Sequence, residues 1–281
     1  MEASLRELWV PVSAAIAQQK NVETIANNVA NANTPGFKRD QLVFKEQLTA
    51  IENGLAETNL PEKEWKPEDF YRTYNTEDSF VKVEGSYSNF EQGQLTPTGN
   101  QFDIALKGPG LLEVLTPNGS RYIRKGSLSV NSDGKLVTDH GYLILSKAPP
   151  PTLNPDGTLN FSTPLESRAI MLGNNKLTIS QNGDVFAGDA KISELAITEF
   201  NQPSKLQKEG NSLFINNDLQ NIKLGTYTTT THQGFVEQSN VNAISEMSQL
   251  INANRNFESI QRVIKTYDSL SSKAVNELGK F

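Results

Sequence analysis

Cysteine is absent from this chain, which excludes disulfides, thiol catalysis and zinc–thiolate sites outright. Histidine is nearly absent, with only His140 and His232. No Gly-x-Ser-x-Gly, no His-Glu-x-x-His and no glycine loop ahead of a Lys-Ser/Thr pair occurs, so the usual hydrolytic and phosphate-binding signatures are missing. Asp139-His140, with Ser127 nearby, is the nearest approach to acid–base chemistry, and it lacks any such frame. Asp133-Gly134 and Asp156-Gly157 lack the alternating oxygen ligands and distal glutamate of a calcium loop and read as turns. The sequence therefore predicts no catalytic residue, no metal ligand and no cofactor.

A basic excess is lacking too. The net charge of −6 argues against nucleic acid or an anionic membrane surface as the main partner. No run approaches the roughly 18 apolar residues of a membrane span, so no membrane insertion is expected. The first thirty residues show no basic region followed by an apolar core, and Glu2 and Glu7 stand where a signal peptide is positive. The expectation is a soluble protein that, if exported, uses no cleaved signal of the usual kind.

What is present begins with residues 26–39, ANNVANANTPGFKR. Asn27, Asn28, Asn31 and Asn33 crowd the end of a helical pattern, and Thr34-Pro35-Gly36-Phe37 ends it. Proline cannot continue the helical ladder and pushes Thr34 out of the helical region, while Gly36 takes a left-handed conformation cheaply. Upstream, Leu5, Leu8, Val12, Ala15, Gln19, Val22, Ala26 and Val29 alternate spacings of three and four, with Trp9, Ile16 and Ile25 beside the stripe. This predicts a helix over 5–31, about 40 Å long at roughly 1.5 Å per residue, with Pro11 as a kink or first-turn residue. Near the other end, after a turn where Asn240 or Asn242 could cap, a second long helix is predicted. Its stripe carries Ile244, Met247, Leu250, Ile251, Phe257, Ile260, Ile264, Tyr267 and Leu270, interrupted by Asn254 and Gln261.

Between these ends, 87–230 is β-rich. Candidate strands at 102–107, 111–115, 121–124, 127–130, 135–138, 142–145, 176–180 and 192–200 are separated by Asn-Gly and Asp-Gly turns, the pattern of an antiparallel sandwich or barrel. Residues 148–151 read as a proline-rich crossing between sub-sheets. Residues 37–86 read as an extended connector, with a short helix through Leu42, Phe44, Leu48 and Ile51 and with packing aromatics at Trp65, Phe70, Tyr71 and Tyr74.

The expected fold is α+β. Long N- and C-terminal helices, from 1–36 and 240–281, form an antiparallel coiled-coil hairpin, and a central all-β domain occupies 87–230. Such a hairpin leaves apolar groups on its outer faces, which identical neighbouring subunits could cover; an intramolecular bundle resting on the β domain is the other reading. On the first reading the subunit interface comprises Leu5, Leu8, Trp9, Val12, Ile16, Val22, Ile25, Asn27, Asn28, Val29, Asn31, Met247, Leu250, Ile251, Asn254, Phe257 and Ile264. Asn27 and Asn31, one turn apart, are the favoured amide pair. Thr34, Pro35, Gly36 and Phe37 form the helix-exit turn.

The motifs resemble those of the bacterial flagellar rod and hook proteins. Ala26-Asn27-Asn28-Val29-Ala30-Asn31 with Thr34-Pro35-Gly36-Phe37-Lys38-Arg39 is similar to the family's N-terminal signature. Gly93-Gln94-Leu95 and Thr98-Gly99-Asn100-Gln101-Phe102-Asp103-Ile104-Ala105-Leu106, then Gly108 and Gly110, resemble its next motif. Tyr122-Ile123-Arg124-Lys125-Gly126 and Gly134-Lys135-Leu136-Val137-Thr138 resemble a third, and residues 234–242, GFVEQSNVN, its C-terminal signature. Leu111-Leu112 replace an aromatic pair and Lys125 an asparagine, departures that bear on subunit type. Arg255-Asn256-Phe257-Glu258 is closer to the proximal rod members than to the distal ones.

The resemblance implies an axial structural subunit without catalysis. Such a subunit is exported unfolded through the flagellar type III apparatus and assembles helically with itself and other rod proteins into the periplasmic shaft that transmits torque. A distal rod or hook-type subunit is the alternative within the family. A secreted β-domain binding module is the alternative outside it.

Overall fold

The computed structural model describes residues 2–48, 79–148, 152–153, 159–160, 164–173, 175–223, 225 and 228–278. The chain divides into two compact units, one of Met1–Val29, Gln41–Ser86 and Ala243–Phe281, the other of Ala30–Asp40 and Tyr87–Asn242.

The first unit holds helix α1 (Glu2–Ala30), helix α2 (Ala243–Leu278) and a two-stranded sheet of β1 (Asp40–Leu48) with β2 (Ser79–Ser88). Helix α1 runs through Pro11 without ending there. Strand β1 replaces the short helix predicted through Leu42, Phe44 and Leu48. These three residues also alternate at a period of two, and a partner strand supplies the hydrogen bonds that a lone short helix lacks. Ile51, Trp65, Phe70, Tyr71 and Tyr74 lie outside the described residues.

The expected coiled-coil hairpin framing a β domain is corrected. Among the described residues there are two α-helices and a large body of many strands, and the predicted heptad seam is not what the helices bury. Gln19 and Ala26 of the α1 seam are exposed, and on α2 Met247 is 48% and Ile251 54% exposed. The buried positions are instead Ala17, Ile25 and Asn28 on α1, with Glu246 and Ala253 on α2. Polar bonds join the two helices: Gln18 Nε2 donates to the Ala253 carbonyl at 3.0 Å, and Asn28 Nδ2 to Glu246 Oε2 at 3.4 Å. Small and amide-bearing side chains occupy the contact, so the large aliphatic groups that suggested a seam stand outside it. Gln19, predicted as a polar seam position, is exposed and bonds along its own helix to Glu23.

The second unit is β-rich. Its largest sheet has the order β16 (Gln207–Glu209), β17 (Leu213–Ile215), β6 (Gly119–Ile123), β5 (Leu111–Thr116), β9 (Leu143–Ile144), β8 (Leu136–Thr138), β7 (Leu128–Val130), and β15 (Ile197–Thr198) also pairs with β5. The β5–β6 hairpin is antiparallel from Leu112↔Ile123 to Thr116↔Gly119. A separate three-stranded sheet comprises β12 (Leu177–Ile179), β13 (Asp184–Ala187) and β14 (Ala190–Glu194). The single strand predicted over 192–200 is split, because Leu195 and Ala196 leave β14 before β15 begins. Period-two alternation distributes side chains between two cores. Leu112, Val114 and Ile123 join Ile104, Leu106, Leu136, Ile144 and Leu195 in the larger one, while Leu111 and Tyr122 join Phe200, Leu206 and Phe214 in the smaller. Tyr122 meets Phe200 edge-to-face at 4.9 Å between centroids, a favoured aromatic arrangement.

The ends of this unit return to its beginning. Strand β18 (Thr230–Gln233) pairs antiparallel with β4 (Ile104–Lys107), and β19 (Phe235–Glu237) pairs with β3 (Leu95–Pro97). This doubling-back brings the last motif of the sequence against the earlier ones.

Candidate functional site

The helix-exit stretch leaves α1 through two linked turns and a side-chain bond. Thr34 N donates to the Asn31 carbonyl, Phe37 N to the Thr34 carbonyl, and Thr34 Oγ1 to Asn31 Oδ1, at 3.1, 3.2 and 3.2 Å. Gly36 then adopts φ +71°, the left-handed region predicted for it. Its amide donates to the backbone carbonyl of Glu237 at 2.8 Å. Phe37 is buried, and Lys208 Nζ stands 3.8 Å from its ring centroid, a cation–π contact. Lys208 also pairs with Asp40 at 2.7 Å; burial pulls its pKa down while the Asp40 carboxylate opposes that.

Three other motif segments converge on the Glu237 side chain. Lys38 Nζ donates to Oε1 at 2.7 Å, Gly93 N to Oε1 at 2.8 Å and Arg124 Nε to Oε2 at 2.5 Å. Lys38 is 1% exposed, Arg124 3% and Glu237 3%, so this is a fully buried triad of two cations and one carboxylate. Arg124 finds further acceptors in the Gly110 carbonyl and, at 2.7 Å, the Leu106 carbonyl. Lys38 has the Glu91 carbonyl at 2.7 Å. Burial drives the Lys38 pKa down, the Glu237 charge pulls it back up, and Arg124 lowers it again.

Asn240 completes the closure. Its Oδ1 accepts from Arg39 N at 2.8 Å, and its Nδ2 donates to the Asn89 and Glu91 carbonyls at 2.8 and 3.1 Å. It therefore ties three strands of chain together, and Asn242 is the residue immediately before α2. Glycines make the approach possible. A Cβ at Gly93 would lie 2.0 Å from the Gln238 carbonyl oxygen, and one at Gly126 only 1.7 Å from that of Ile104.

Beside this closure, Glu199 is wholly buried and organises residues 228–229. Its Oε1 accepts from the amides of Thr228 and Thr229 at 2.6 and 2.8 Å and from both hydroxyls, and its Oε2 from Lys223 at 2.8 Å. Burial alone would raise its pKa, but the bonds from Lys223, Thr229 and Thr228 outweigh it and hold the carboxyl down at about 2. Thr229 Oγ1 in turn accepts from Gly110 N at 2.8 Å, linking this anion to the Arg124 loop.

The predicted interface residues divide between buried, half-buried and exposed positions. Leu5, Leu8 and Trp9 belong to α1, but their side chains lie outside the described residues. On α1, Ile25 and Asn28 are buried, Val12, Val22, Val29 and Asn31 half-buried, and Ile16 and Asn27 exposed. On α2, Leu250, Phe257 and Ile264 are half-buried, while Met247, Ile251 and Asn254 are exposed. Asn28 reaches across to Glu246 on the other helix. Thr34 and Pro35 are half-buried, and Gly36 and Phe37 are buried. Sequence reasoning missed Lys38, Arg124, Glu237 and Asn240 as a connected group. The only available signal was charged residues inside motifs otherwise made of turn and apolar residues. Among the described residues no three His, Asp or Glu cluster as metal ligands. No helix among them is long and apolar enough to cross a membrane.

Chemically, the arrangement is a structural closure: every side-chain nitrogen and oxygen of the triad bonds to another part of the chain. Comparisons with known proteins bear on its context. The family described as "Flagella basal body rod protein" matches residues 8–38, "Flagellar hook protein FlgE/F/G D1 domain" residues 105–187, and "Flagellar basal body rod FlgEFG protein C-terminal" residues 232–277. The flagellar basal-body rod protein FlgG of Borreliella burgdorferi is 30% identical over 97% of this chain and 98% of its own length. Its namesake in Agrobacterium fabrum is 30% identical over 95% of this chain and 97% of its own. The flagellar basal-body rod protein FlgF of Caulobacter vibrioides is 29% identical over 97% and 98%. With matched segments at both ends and in the middle, and with relatives aligned over nearly their whole length, the chain belongs to the flagellar basal-body rod protein family, as a structural subunit and not an enzyme.

Proposed function

We propose that this protein is a proximal subunit of the rod, packing helically against copies of itself and against other rod proteins into the shaft that carries torque across the periplasm. Arg255-Asn256-Phe257-Glu258 in α2 supports the proximal position over a distal or hook-type one. Export proceeds through the flagellar type III apparatus without a cleaved signal and without membrane insertion. The helices of residues 1–36 and 240–281 are the axial part, 87–230 the outer part, and 37–86 the connector.

The observation that carries self-assembly is the apolar surface left on the helices. Ile16 on α1, and Ile244, Met247, Ile251, Val263, Tyr267 and Leu270 on α2, are all exposed. Exposed aliphatic groups at helical spacing on two long helices suit lateral neighbours. A reconstruction of the assembled rod from a strain carrying a tagged version of this chain tests the reading. Tag density at the membrane-proximal end of the shaft is the expected result. Tag density confined to the hook-proximal end would overturn the proximal assignment, and its absence from the shaft would overturn the axial one.

A further inference from the structure

We infer that the Glu237 carboxylate is a latch that makes docking of the N-terminal motif, residues 36–40, conditional on arrival of the C-terminal motif. The order of the chain supplies the first part of the argument. Lys38 and Arg124 are both fully buried cations, and Glu237 is the carboxylate on which they meet. Before residues 234–242 pair with β3, a docked Lys38 would face Arg124 in a low-dielectric interior with no intervening anion. Burying an unpaired ammonium there is strongly unfavourable. The N-terminal motif therefore stays undocked while the rest of the β body can form its hairpins, which draw on no part of this triad.

The second part is an asymmetry between the two cations. Arg124 keeps the carbonyls of Gly110 and Leu106 as acceptors whether or not Glu237 is present. Among the described residues Lys38 has, besides that carboxylate, the Glu91 carbonyl and the weaker pull of the Glu91 charge. Lys38 is thus the member that depends on the latch. It sits between Gly36, whose amide bonds to the Glu237 backbone, and Arg39, whose amide bonds to Asn240. One carboxylate consequently controls whether the last turn of the N-terminal signature is held.

Hydrogen exchange on the full chain tests this, comparing wild type with E237Q and K38M/E237Q. The Gly36 and Arg39 amides report the motif, and the amides of Leu112 to Ile123 in the β5–β6 hairpin report the body. In E237Q, exchange at Gly36 and Arg39 rises about a hundredfold or more while the hairpin changes by less than about threefold. In K38M/E237Q, where no buried ammonium needs an anion, most of that protection returns. Wild-type protection of Gly36 and Arg39 in E237Q overturns the latch, as does an equal rise throughout the hairpin. A double variant that exchanges as fast as E237Q also overturns it. If E237Q alone does not fold, recovery of a folded protein in K38M/E237Q supports the latch, and failure of both overturns it.

Discussion

Gly36 lies so close to Lys125 that a Cβ on it would come within 2.6 Å of both the Cα and the amide nitrogen of that residue. Two constraints therefore coincide at one position, a positive φ and a backbone crossing with no room for a methyl group. Helix α1 ends at Ala30, ahead of the proline, and the glycine is what lets the released chain pass Lys125 within the β-rich unit. There the motif turn, the Tyr122–Gly126 motif and the C-terminal signature come into contact.

Replacement of Gly36 by valine should destabilise the β-rich unit by about 3 kcal/mol or more, since left-handed strain and a clash against fixed backbone add. Chemical unfolding of the full chain, followed by a signal from the Tyr122–Phe200 region, measures this. A strain carrying the variant should swim poorly. A loss below about 1 kcal/mol would show that Lys125 can retreat and that the crossing is not tight.

The same geometry sets where this unit can be cut. A fragment of residues 30–242 retains Lys38, Arg39 and Asn240 and should unfold in one cooperative transition as a monomer. A fragment of 40–239 lacks Lys38 and Asn240, leaving Glu237 with one cation and the Asn89 and Glu91 carbonyls without their side-chain donors. It should be less stable by roughly 3–5 kcal/mol, the usual cost of breaking a buried pair. Equal stability of the two fragments by urea titration would refute the structural weight given to residues 36–38.

Much of the β body is legible in the sequence because its signals are local. Asn-Gly and Asp-Gly turns and alternating apolar runs place β5 through β9 within a residue or two. Strand β1 is lost because Phe44, Leu48 and Ile51 satisfy a helical spacing as readily as Leu42, Phe44 and Leu48 satisfy a strand's, and the partner that decides is forty residues away in sequence by rough count. The helix contacts are misplaced by one position because pattern reading weights large apolar groups. Ala17, Asn28, Glu246 and Ala253 are buried by cross-helix packing and hydrogen bonding instead. The triad is hidden for the opposite reason. Charged side chains are rarely fully buried, so Lys38, Arg124 and Glu237 each read singly as surface. Only the return of β18 and β19 onto β4 and β3 reveals that they meet.

Acid should act through Glu199. Its folded pKa of about 2 lies below the ordinary value of 4.5, so its contribution is fully present above about pH 4.5 and is lost as pH falls toward 2. That contribution is on the order of 3 kcal/mol at neutral pH. Unfolding midpoints of wild type and Glu199→Gln should therefore differ most at pH 6 and converge near pH 2.5. Carboxylates common to both proteins cancel in the difference. A gap that stays constant between those pH values would show that Glu199 acts through shape and not through charge.

The two faces of α2 should separate folding from assembly. Ile251 is exposed on its own subunit, whereas Ala253, two residues on, is buried and its carbonyl accepts from Gln18 on α1. Ile251→Asp removes apolar surface that the subunit itself does not use, so subunit stability should change by no more than about 0.5 kcal/mol. Rod assembly and motility should nevertheless be lost if neighbouring copies cover that face. Ala253→Leu puts three extra carbons into the contact between the helices and should loosen α1 from α2 within the subunit, at about 1–3 kcal/mol. Circular dichroism of the purified variants and swimming of complemented strains read out both effects. Normal motility with Ile251→Asp would mean that this face meets no neighbour in the shaft, and assembly would then have to run through the distal patch at Val263, Tyr267 and Leu270.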